Sequence, residues 1–182
     1  ALLTFWRGRL LLRLRSDWAL AGRTWPGGSL LLADADAYLR GERRFTALFT
    51  PTPERSLSGF TTTRSRVILD VLDTVAGRLE EWQPVADGWQ RREVPAPRFG
   101  SLSATALHDP LLADDALAEA YWLNVSGFLE PDSLRLGRTG RDDFETVKTL
   151  PAFFDATGLR VEQQFARSKD GTRVPYFVIG PK

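Results

Sequence analysis

The fold is decided by residues Ser56–Pro95, which read SLSGFTTTRSRVILDVLDTVAGRLEEWQPVADGWQRREVP. Alternating apolar residues and β-branched side chains mark four short runs in this stretch: Ser56–Thr63, Val67–Val75, Arg78–Pro84 and Trp89–Pro95. The turn signals Ala76-Gly77 and Asp87-Gly88 separate the later runs, because glycine adopts tight-turn backbone angles at little cost. The stretch therefore predicts four consecutive antiparallel strands.

The same order of strands recurs on both sides of this stretch. The following unit contains Ser101–Leu107, Glu119–Leu129, Ser133–Gly137 and Phe144–Leu150, and the preceding one contains Leu2–Trp6, Leu10–Trp18, Ser29–Tyr38 and Phe45–Phe49. Similar turns, TPERSL at 52–57 and APRFGSL at 96–102, open the second and third units, and the insertion Asp109–Ala118 lengthens the third. Four-stranded units that repeat at roughly 40–50 residues are typical of β-propeller blades.

We therefore predict an all-β chain with a partial propeller over residues 1–155, its blades at roughly 1–53, 54–97 and 98–152. A propeller needs about 4–8 blades, so the others are expected to come from elsewhere. Residues 156–182 are predicted to form a linker and a hairpin of Val161–Arg167 and Arg173–Ile179, since Asp170-Gly171 favours a tight turn. Only two short stretches look helical, Asp34–Arg40 and Leu112–Ala120.

Composition narrows the classes of function. The chain has 182 residues, no cysteine, one histidine and a formal net charge of +1, which disfavours a disulfide framework, a thiolate site, a histidine metal cluster and a nucleic-acid partner. No apolar stretch is long enough to span a membrane, and arginines interrupt the apolar N-terminus, so neither an anchor nor a signal peptide is expected. A cysteine-free chain fits the cytoplasm, although a periplasmic parent with its signal removed stays open. We expect no metal and no cofactor.

The chain contains no methionine, so Ala1 is not its own initiator. Together with a hairpin that stops at Lys182, this predicts that both ends are cuts in a longer protein.

Several motifs resemble the prolyl oligopeptidase family of serine peptidases. The most specific is Glu162–Phe177, EQQFARSKDGTRVPYF, which is similar to the stretch that opens the main run of that family's hydrolase domain. Three further motifs follow the family's order, at Leu14–Trp18 with Pro26–Leu31, at Leu69–Arg78 and at Phe128–Leu134.

This resemblance implies a seven-bladed propeller over an α/β-hydrolase domain that cuts short peptides after proline, or after basic residues in relatives, with a Ser-Asp-His triad. The chain would then be the later blades plus the first hydrolase hairpin. Its partners would be the missing blades, the missing hydrolase domain and short peptide substrates, and uncovered blade faces favour self-association.

The chain itself is expected to be catalytically silent. The sequence contains no G-x-S-x-G elbow, which a hydrolase of this type needs to expose its serine. His108-Asp109 could form a base and its orienting carboxylate, but a structural role is favoured. The carboxylate pairs Asp114/Asp115 and Asp142/Asp143 are interpreted as solvated turns, whereas Asp34/Asp36 could share a strand face and hold a metal. We therefore assign no catalytic, cofactor or metal residue.

The remaining polar and aromatic features also have structural interpretations. Asp70 and Asp73 interrupt an apolar strand, where hydrogen bonding within and between blades is favoured over lining a channel. Packing between blade faces is favoured for the tryptophans Trp6, Trp18, Trp25, Trp82, Trp89 and Trp122 over a ligand-stacking platform. The sequon at Asn124 falls in mid-strand and is discounted, and the run Arg7, Arg9, Arg13, Arg15 is interpreted as a solvated face or a set of ion pairs.

Two alternatives compete with the peptidase hypothesis. A free-standing module that binds a protein or a glycan would have no use for the extra hairpin at 161–182. A glycoside hydrolase propeller would want acidic residues on its inner strands, and SLSGFTTT and SLSATAL carry none.

Overall fold

A computed structural model of the chain describes residues 1–20, 22–97 and 99–182. It is 57% strand and 3% helix, which confirms the predicted all-β class. The chain divides into two compact units, Ala1–Ser58 and Gly59–Lys182. Three antiparallel four-stranded sheets follow one another and are called blades 1, 2 and 3 below.

Blade 1 is an antiparallel sheet in the order β1-β2-β5-β6. Its strands are β1 (Leu2–Trp6), β2 (Arg9–Arg13), β5 (Leu30–Asp34) and β6 (Thr46–Phe49). A small hairpin of β3 (Trp18–Leu20) and β4 (Arg23–Trp25) is inserted between β2 and β5. Leucines from β2 and β5 pack with Trp25 in the core of this unit.

Two strands predicted in blade 1 are shorter than expected. The strand expected over 10–18 ends at Arg13, and the one expected over 29–38 ends at Asp34. The second ends there because the Asp34 side chain accepts a hydrogen bond from the Ala37 N–H at 2.8 Å and caps α1 (Ala35–Leu39). The short helix expected over 34–40 is therefore confirmed.

Blades 2 and 3 match the predicted strands closely. Blade 2 has the sheet order β10-β9-β8-β7, with β7 (Arg55–Thr62), β8 (Val67–Asp73), β9 (Ala76–Val85) and β10 (Gly88–Val94). Blade 3 has the order β11-β12-β13-β14, with β11 (Gly100–Ala106), β12 (Ala120–Gly127), β13 (Ser133–Arg138) and β14 (Phe144–Thr149). The APRFGSL turn expected between these blades includes Arg98, which lies outside the described residues.

The core of the second unit lies between blades 2 and 3. Apolar side chains from the two facing sheets interdigitate there: Ile68, Leu79, Val94, Leu102, Ala104, Tyr121, Leu123 and Val125. Tyr121 is fully buried and lies against Gly137 on the neighbouring strand. A Cβ atom at Gly137 would lie 2.7 Å from the Tyr121 ring, so this position requires glycine.

The second predicted helix, over 112–120, is wrong. Residues 108–119 form a succession of turns between β11 and β12. The Asp115 carboxylate accepts the backbone N–H groups of Asp109 at 3.0 Å and Leu117 at 2.8 Å. Aspartate side chains that bond nearby backbone groups in this way compete with helix formation, despite the favourable alanines and leucines.

The C-terminal hairpin forms a two-stranded sheet of its own from β15 (Leu159–Arg167) and β16 (Arg173–Pro181). In its turn the Asp170 carboxylate accepts the Thr172 N–H at 2.9 Å, and Gly171 adopts a φ of 85°. The hydrogen bond from the Ser168 hydroxyl, aided by that of Thr172, lowers the pKa of Asp170 to about 2. The Asp-Gly signal in the sequence therefore has the structure expected of it.

Candidate functional site

The functional surface that the structure defines best is the end of blades 2 and 3 on which the C-terminal hairpin lies. Among the described residues of this end, Thr74, Phe99 and Phe128 contact the hairpin, and we call them the hairpin seat. Thr74 lies in the β8–β9 turn, Phe99 directly precedes β11 and Phe128 directly follows β12. Antiparallel strands bring these three positions to the same end of the two sheets.

Aromatic packing forms one part of the hairpin contact. The Phe177 ring of β16 lies 5.7 Å from the ring of Phe99 and 4.9 Å from that of Phe128, measured between centroids. Separations of this size are typical of aromatic pairs that stabilise a core. Beside them, Val161 and Leu129 line an apolar cleft of about 260 Å³.

A polar contact forms the other part. The Gln163 side-chain amide on β15 donates a hydrogen bond to the backbone carbonyl of Thr74. Gln163 lies directly opposite Phe177 in the β15–β16 sheet, and we call this pair of residues the rung. The rung makes both contacts with the blades. Gln163 was not among the candidate residues of the sequence analysis.

Asp70 holds blades 2 and 3 together. Its carboxylate oxygens each lie 3.2 Å from the Ala104 N–H of β11, which donates to them. Burial raises the pKa of Asp70 to about 6, and the Ala104 N–H opposes this rise only in part. The interpretation of Asp70 as an inter-blade hydrogen-bonding group is therefore confirmed. Nearby, the Thr61 hydroxyl accepts the Ala106 N–H at 3.1 Å.

Two glutamates that sequence reasoning missed also join the blades. Glu119 accepts hydrogen bonds from the hydroxyls of Thr63 at 3.0 Å, Ser65 at 2.9 Å and Thr139 at 2.6 Å, all on one oxygen. Glu81 is buried, and one of its oxygens accepts the Gly140 N–H at 2.9 Å. These contacts tie turns of blade 2 to turns of blade 3.

Glu81 also binds an arginine that bridges the two blades. Arg92 donates to Glu81 at 3.0 Å and to the Arg141 carbonyl at 2.9 Å, and it pairs with Asp142. Burial raises the pKa of the neighbouring Tyr121 hydroxyl, which therefore stays protonated. The ion pairs and hydrogen bonds of Arg92 therefore hold blade 2 against blade 3.

His108 lies away from the hairpin seat. Its Nδ1 is 2.7 Å from Asp115 Oδ2, so its partner is Asp115 and the Asp109 partner considered from the sequence is wrong. This hydrogen bond lowers the pKa of Asp115. Since β12 separates the His108 loop from Phe128, eight residues at ~3.3 Å each place the pair about 25 Å from the seat. The arrangement anchors the 108–119 loop.

The other paired carboxylates have structural partners. Asp34 caps α1 and Asp36 lies in the first turn of that helix, so the strand face that the two could have shared is not formed. Asp143 receives two hydrogen bonds from Arg141, at 2.8 and 3.0 Å, and Asp142 pairs with Arg92. Both side chains are about two-thirds exposed in a turn, at 66% and 69%, so the interpretation of 142–143 as a solvated turn is confirmed, with surface ion pairs added. Within the described residues, no group of three or more acidic or histidine side chains comes together as a metal site.

The tryptophans and arginines of blade 1 take part in packing. Trp18 and Trp25 meet the Phe45 ring at 5.3 and 6.2 Å between centroids, so they pack within the first unit, and packing between blade faces stays a prediction. Arg9 lies over the Trp6 ring, and Arg13 donates to the Ser58 carbonyl at 3.2 Å. Among residues 1–20, 22–97 and 99–182 no helix is long and apolar enough to cross a membrane.

A groove that the sequence did not indicate crosses the exposed face of blade 3. It encloses about 270 Å³ and is lined by Ser103, Asn124, Lys148 and Leu150, among others. Its lining also includes the buried Leu102 and Val125, which lie between exposed residues of β11 and β12. Asn124 lies in the middle of β12, as expected for the discounted sequon.

Comparison with known proteins finds relatives that are named as peptidases. No known family model matches the chain. An uncharacterized peptidase of Sinorhizobium fredii is 31% identical over 181 residues, which make up 98% of this chain and 24% of that protein. The chain thus spans about a quarter of the length of this relative.

Solved structures show the same fold. A post-proline cleaving enzyme from Rickettsia typhi matches with a TM-score of 0.70 at 21% identity, over 100% of this chain and 26% of that enzyme. A structure from work on two prolyl endopeptidases matches with a TM-score of 0.68 at 18% identity, over 99% of this chain and 24% of that one. The resemblance to the prolyl oligopeptidase family is thus confirmed: the chain is a segment with the fold of prolyl oligopeptidases, and its relatives are peptidases.

Proposed function

We propose that the chain is the part of a propeller that controls the access of short peptides to a Ser-Asp-His peptidase site, carried by a hydrolase domain outside these 182 residues. The observation that carries the proposal is the C-terminal hairpin. It belongs to no blade, forms a sheet of its own and rests on the end of blades 2 and 3. A second domain that begins with this hairpin would face that end of the propeller.

The proposed mechanism divides the work between the two domains. The propeller admits extended peptides through a narrow passage and excludes folded proteins sterically. On the hydrolase domain, the serine hydroxyl would attack the peptide carbonyl, the histidine would accept its proton, and water would release the acyl-enzyme. The residues of this chain contribute by holding the blades together through Asp70, Glu81 and Glu119.

The proposed partners follow from the same arrangement. They are the remaining blades, the hydrolase domain, short peptides and a second copy of the chain where sheet faces and edges are uncovered. We expect neither a nucleic acid nor a membrane as a partner, since the net charge is +1. A cytoplasmic location stays a prediction from the cysteine-free sequence.

A free-standing binding module is the second candidate. The groove on blade 3 could accept a peptide or a glycan without any catalysis. We favour the peptidase, because a pure binding propeller has no need for β15 and β16.

The decisive experiment examines the reading frame and the protein it encodes. We expect the frame to continue past Lys182 into a G-x-S-x-G elbow that is followed by an aspartate and a histidine. The encoded protein should cleave a short proline-containing peptide and leave the same sequence intact inside a folded domain. A stop codon directly after Lys182, or equal cleavage of both substrates, would contradict the proposal.

A further inference from the structure

The β8–β9 turn has a backbone that its side chains disfavour. Thr74 and Val75 adopt φ angles of 49° and 63°, in the left-handed region. Both residues are β-branched, and such residues are rare outliers there because their side chains crowd the backbone. Hairpin turns of this kind ordinarily use Asn-Gly. A strained turn of this type persists only where its surroundings hold it in place.

The strained turn is the part of blade 2 that the hairpin contacts through Gln163. The Thr74 carbonyl accepts the hydrogen bond from the Gln163 amide. The Asp73 carboxylate beside it lies 3.8 Å from the Arg78 guanidinium, which anchors the start of the turn to β9. The direction of the Thr74 carbonyl therefore depends on the left-handed backbone of the turn.

The same rung of the hairpin also contacts blade 3. Gln163 and Phe177 are paired directly across β15 and β16, so their side chains project from the same face. Gln163 contacts the turn of blade 2, whereas Phe177 contacts Phe99 and Phe128, which flank the same end of the antiparallel β11–β12 pair. One rung therefore joins the hairpin to two neighbouring blades.

We propose that Gln163 is a positioning residue that fixes the angle of the β15–β16 hairpin on the propeller. The two contacts of its rung differ in strength. The Phe177 cluster is apolar and packed from two sides, so it acts as a pivot. The Gln163 contact is a single neutral hydrogen bond, which is the weaker of the two and the one that opens first. The hairpin therefore has a closed position with Gln163 bound and an open one that rotates about Phe177.

This inference concerns the 182-residue chain itself and does not depend on the peptidase activity proposed above. A distance measurement in the chain tests it directly. Because the chain has no cysteine, two introduced cysteines carry spin labels at unique positions. Asp87→Cys in the exposed β9–β10 turn and Lys169→Cys at the hairpin tip report the angle between blade 2 and the hairpin. The readout is the distance distribution from pulsed electron paramagnetic resonance.

The matched control is the next glutamine along the strand. The Gln164 side chain lies on the other face of the hairpin, where its oxygen accepts the Tyr176 hydroxyl at 2.9 Å. We expect Gln163→Ala to raise the population ratio of open to closed positions roughly fivefold, the usual effect of losing one hydrogen bond. Gln163→Glu has the same shape without the amide donor and should do the same. Gln164→Ala should leave the distribution unchanged.

A fourth variant tests whether the hairpin needs only the carbonyl at position 74 or also the strain of the β-branched residues in the turn. Thr74→Asn with Val75→Gly favours the same turn and keeps the carbonyl at position 74, so the distance distribution should stay closed. Near-ultraviolet circular dichroism, which reports on all six tryptophans including Trp82, Trp89 and Trp122, checks that each variant is folded. Folded Gln163→Ala and Gln163→Glu proteins whose distributions match that of Gln164→Ala would overturn the proposal, whatever the peptidase assay shows.

Discussion

The Asp70 carboxylate accepts the Ala104 N–H on both oxygens, at 3.2 Å each, and so joins β8 to a strand that begins about thirty residues later. Gly59 leaves the room for this contact, because a Cβ atom there would lie 3.1 Å from Asp70 Oδ2. Burial outweighs the single N–H donor and raises the pKa of Asp70 to about 6. The folded chain is therefore more stable when Asp70 is protonated.

The stability of the fold should depend on pH through Asp70. A raised pKa in the folded state means that the folded chain binds the proton more tightly than the unfolded chain. The contribution of Asp70 is thus fully present below its ordinary pKa of 3.8 and is lost as the pH rises to about 6. The loss is on the order of 3 kcal/mol. About two-thirds of this loss falls between pH 4.5 and pH 7, and we expect Asp70→Asn to remove it, as measured by urea unfolding at these two pH values.

The control for this prediction is Asp87→Asn, which changes an exposed carboxylate in a turn of the same blade. It should keep the wild-type difference between the two pH values. An Asp70→Asn protein that loses the same stability as wild type between pH 4.5 and pH 7 would show that another group is responsible.

Gly137 should not tolerate a methyl group. Because a Cβ atom there would lie 2.7 Å from the buried Tyr121 ring, Gly137→Ala forces one of the two strands to move. Overpacking of this kind costs about 1–3 kcal/mol. Thermal unfolding should show a lower midpoint for Gly137→Ala, whereas Gly180→Ala, with no atom within 4 Å of its Cβ position, should remain near wild type. Equal midpoints for both variants would contradict the packing described for Tyr121.

Glu119 should contribute more to the stability of the fold than the exposed Glu145 of the same blade. Glu119→Ala leaves three hydroxyl groups, those of Thr63, Ser65 and Thr139, without their shared acceptor. Hydrogen bonds to a charged group contribute about 1.5–3 kcal/mol, so urea unfolding should show a loss of that order. The exposed Glu145→Ala serves as the control and should change little. A Glu119→Ala protein as stable as Glu145→Ala would refute the joining role of Glu119.

A fluorophosphonate probe, which labels activated serines, should not label the chain. The sequence offers no G-x-S-x-G elbow, and His108 is bound to Asp115 at the end of the blades away from the hairpin. Mass spectrometry after incubation should find the unmodified mass. Stoichiometric labelling that a single serine substitution abolishes would reveal a nucleophile in this chain.

Blade 1 should promote self-association of the isolated chain. Its terminal strand β1 exposes Leu3 by 53% and Phe5 by 67%. Such apolar residues on an unpaired edge strand favour pairing with another chain. Sedimentation velocity should show association at high concentration that Leu3→Lys with Phe5→Lys reduces. Leu39→Lys alters an exposed leucine of α1 and should have no such effect; equal reduction by both would exclude β1 as the interface.

Local chemistry explains why most strands could be predicted. In blades 2 and 3, alternating apolar residues and turn signals such as Asp87-Gly88 set the strand ends, and the structure follows them within a few residues. The helix expected over 112–120 failed because the side chain of Asp115 bonds the backbone of Asp109 and Leu117. The amino-acid composition of the stretch does not indicate that these side-chain hydrogen bonds would replace those of a helix.

Contacts between distant residues could not be predicted in the same way. Glu119 receives the hydroxyl of Thr63 from a turn 56 residues away, and Gln163 reaches Thr74 across 89 residues. Nothing in the local pattern around Thr74 and Val75 indicates a left-handed turn, since both residues favour strands. The family resemblance predicted the hairpin but not the rung that seats it.

The position of the hairpin seat in the chain has a consequence for biosynthesis. Thr74, Phe99 and Phe128 all precede Gln163 and Phe177, so the ribosome completes the seat before the rung that binds it emerges. Domains generally fold as units as they leave the ribosome, with N-terminal parts first. The blades can therefore form while the seat is still empty, and the docking of Phe177 is a late step of folding during synthesis.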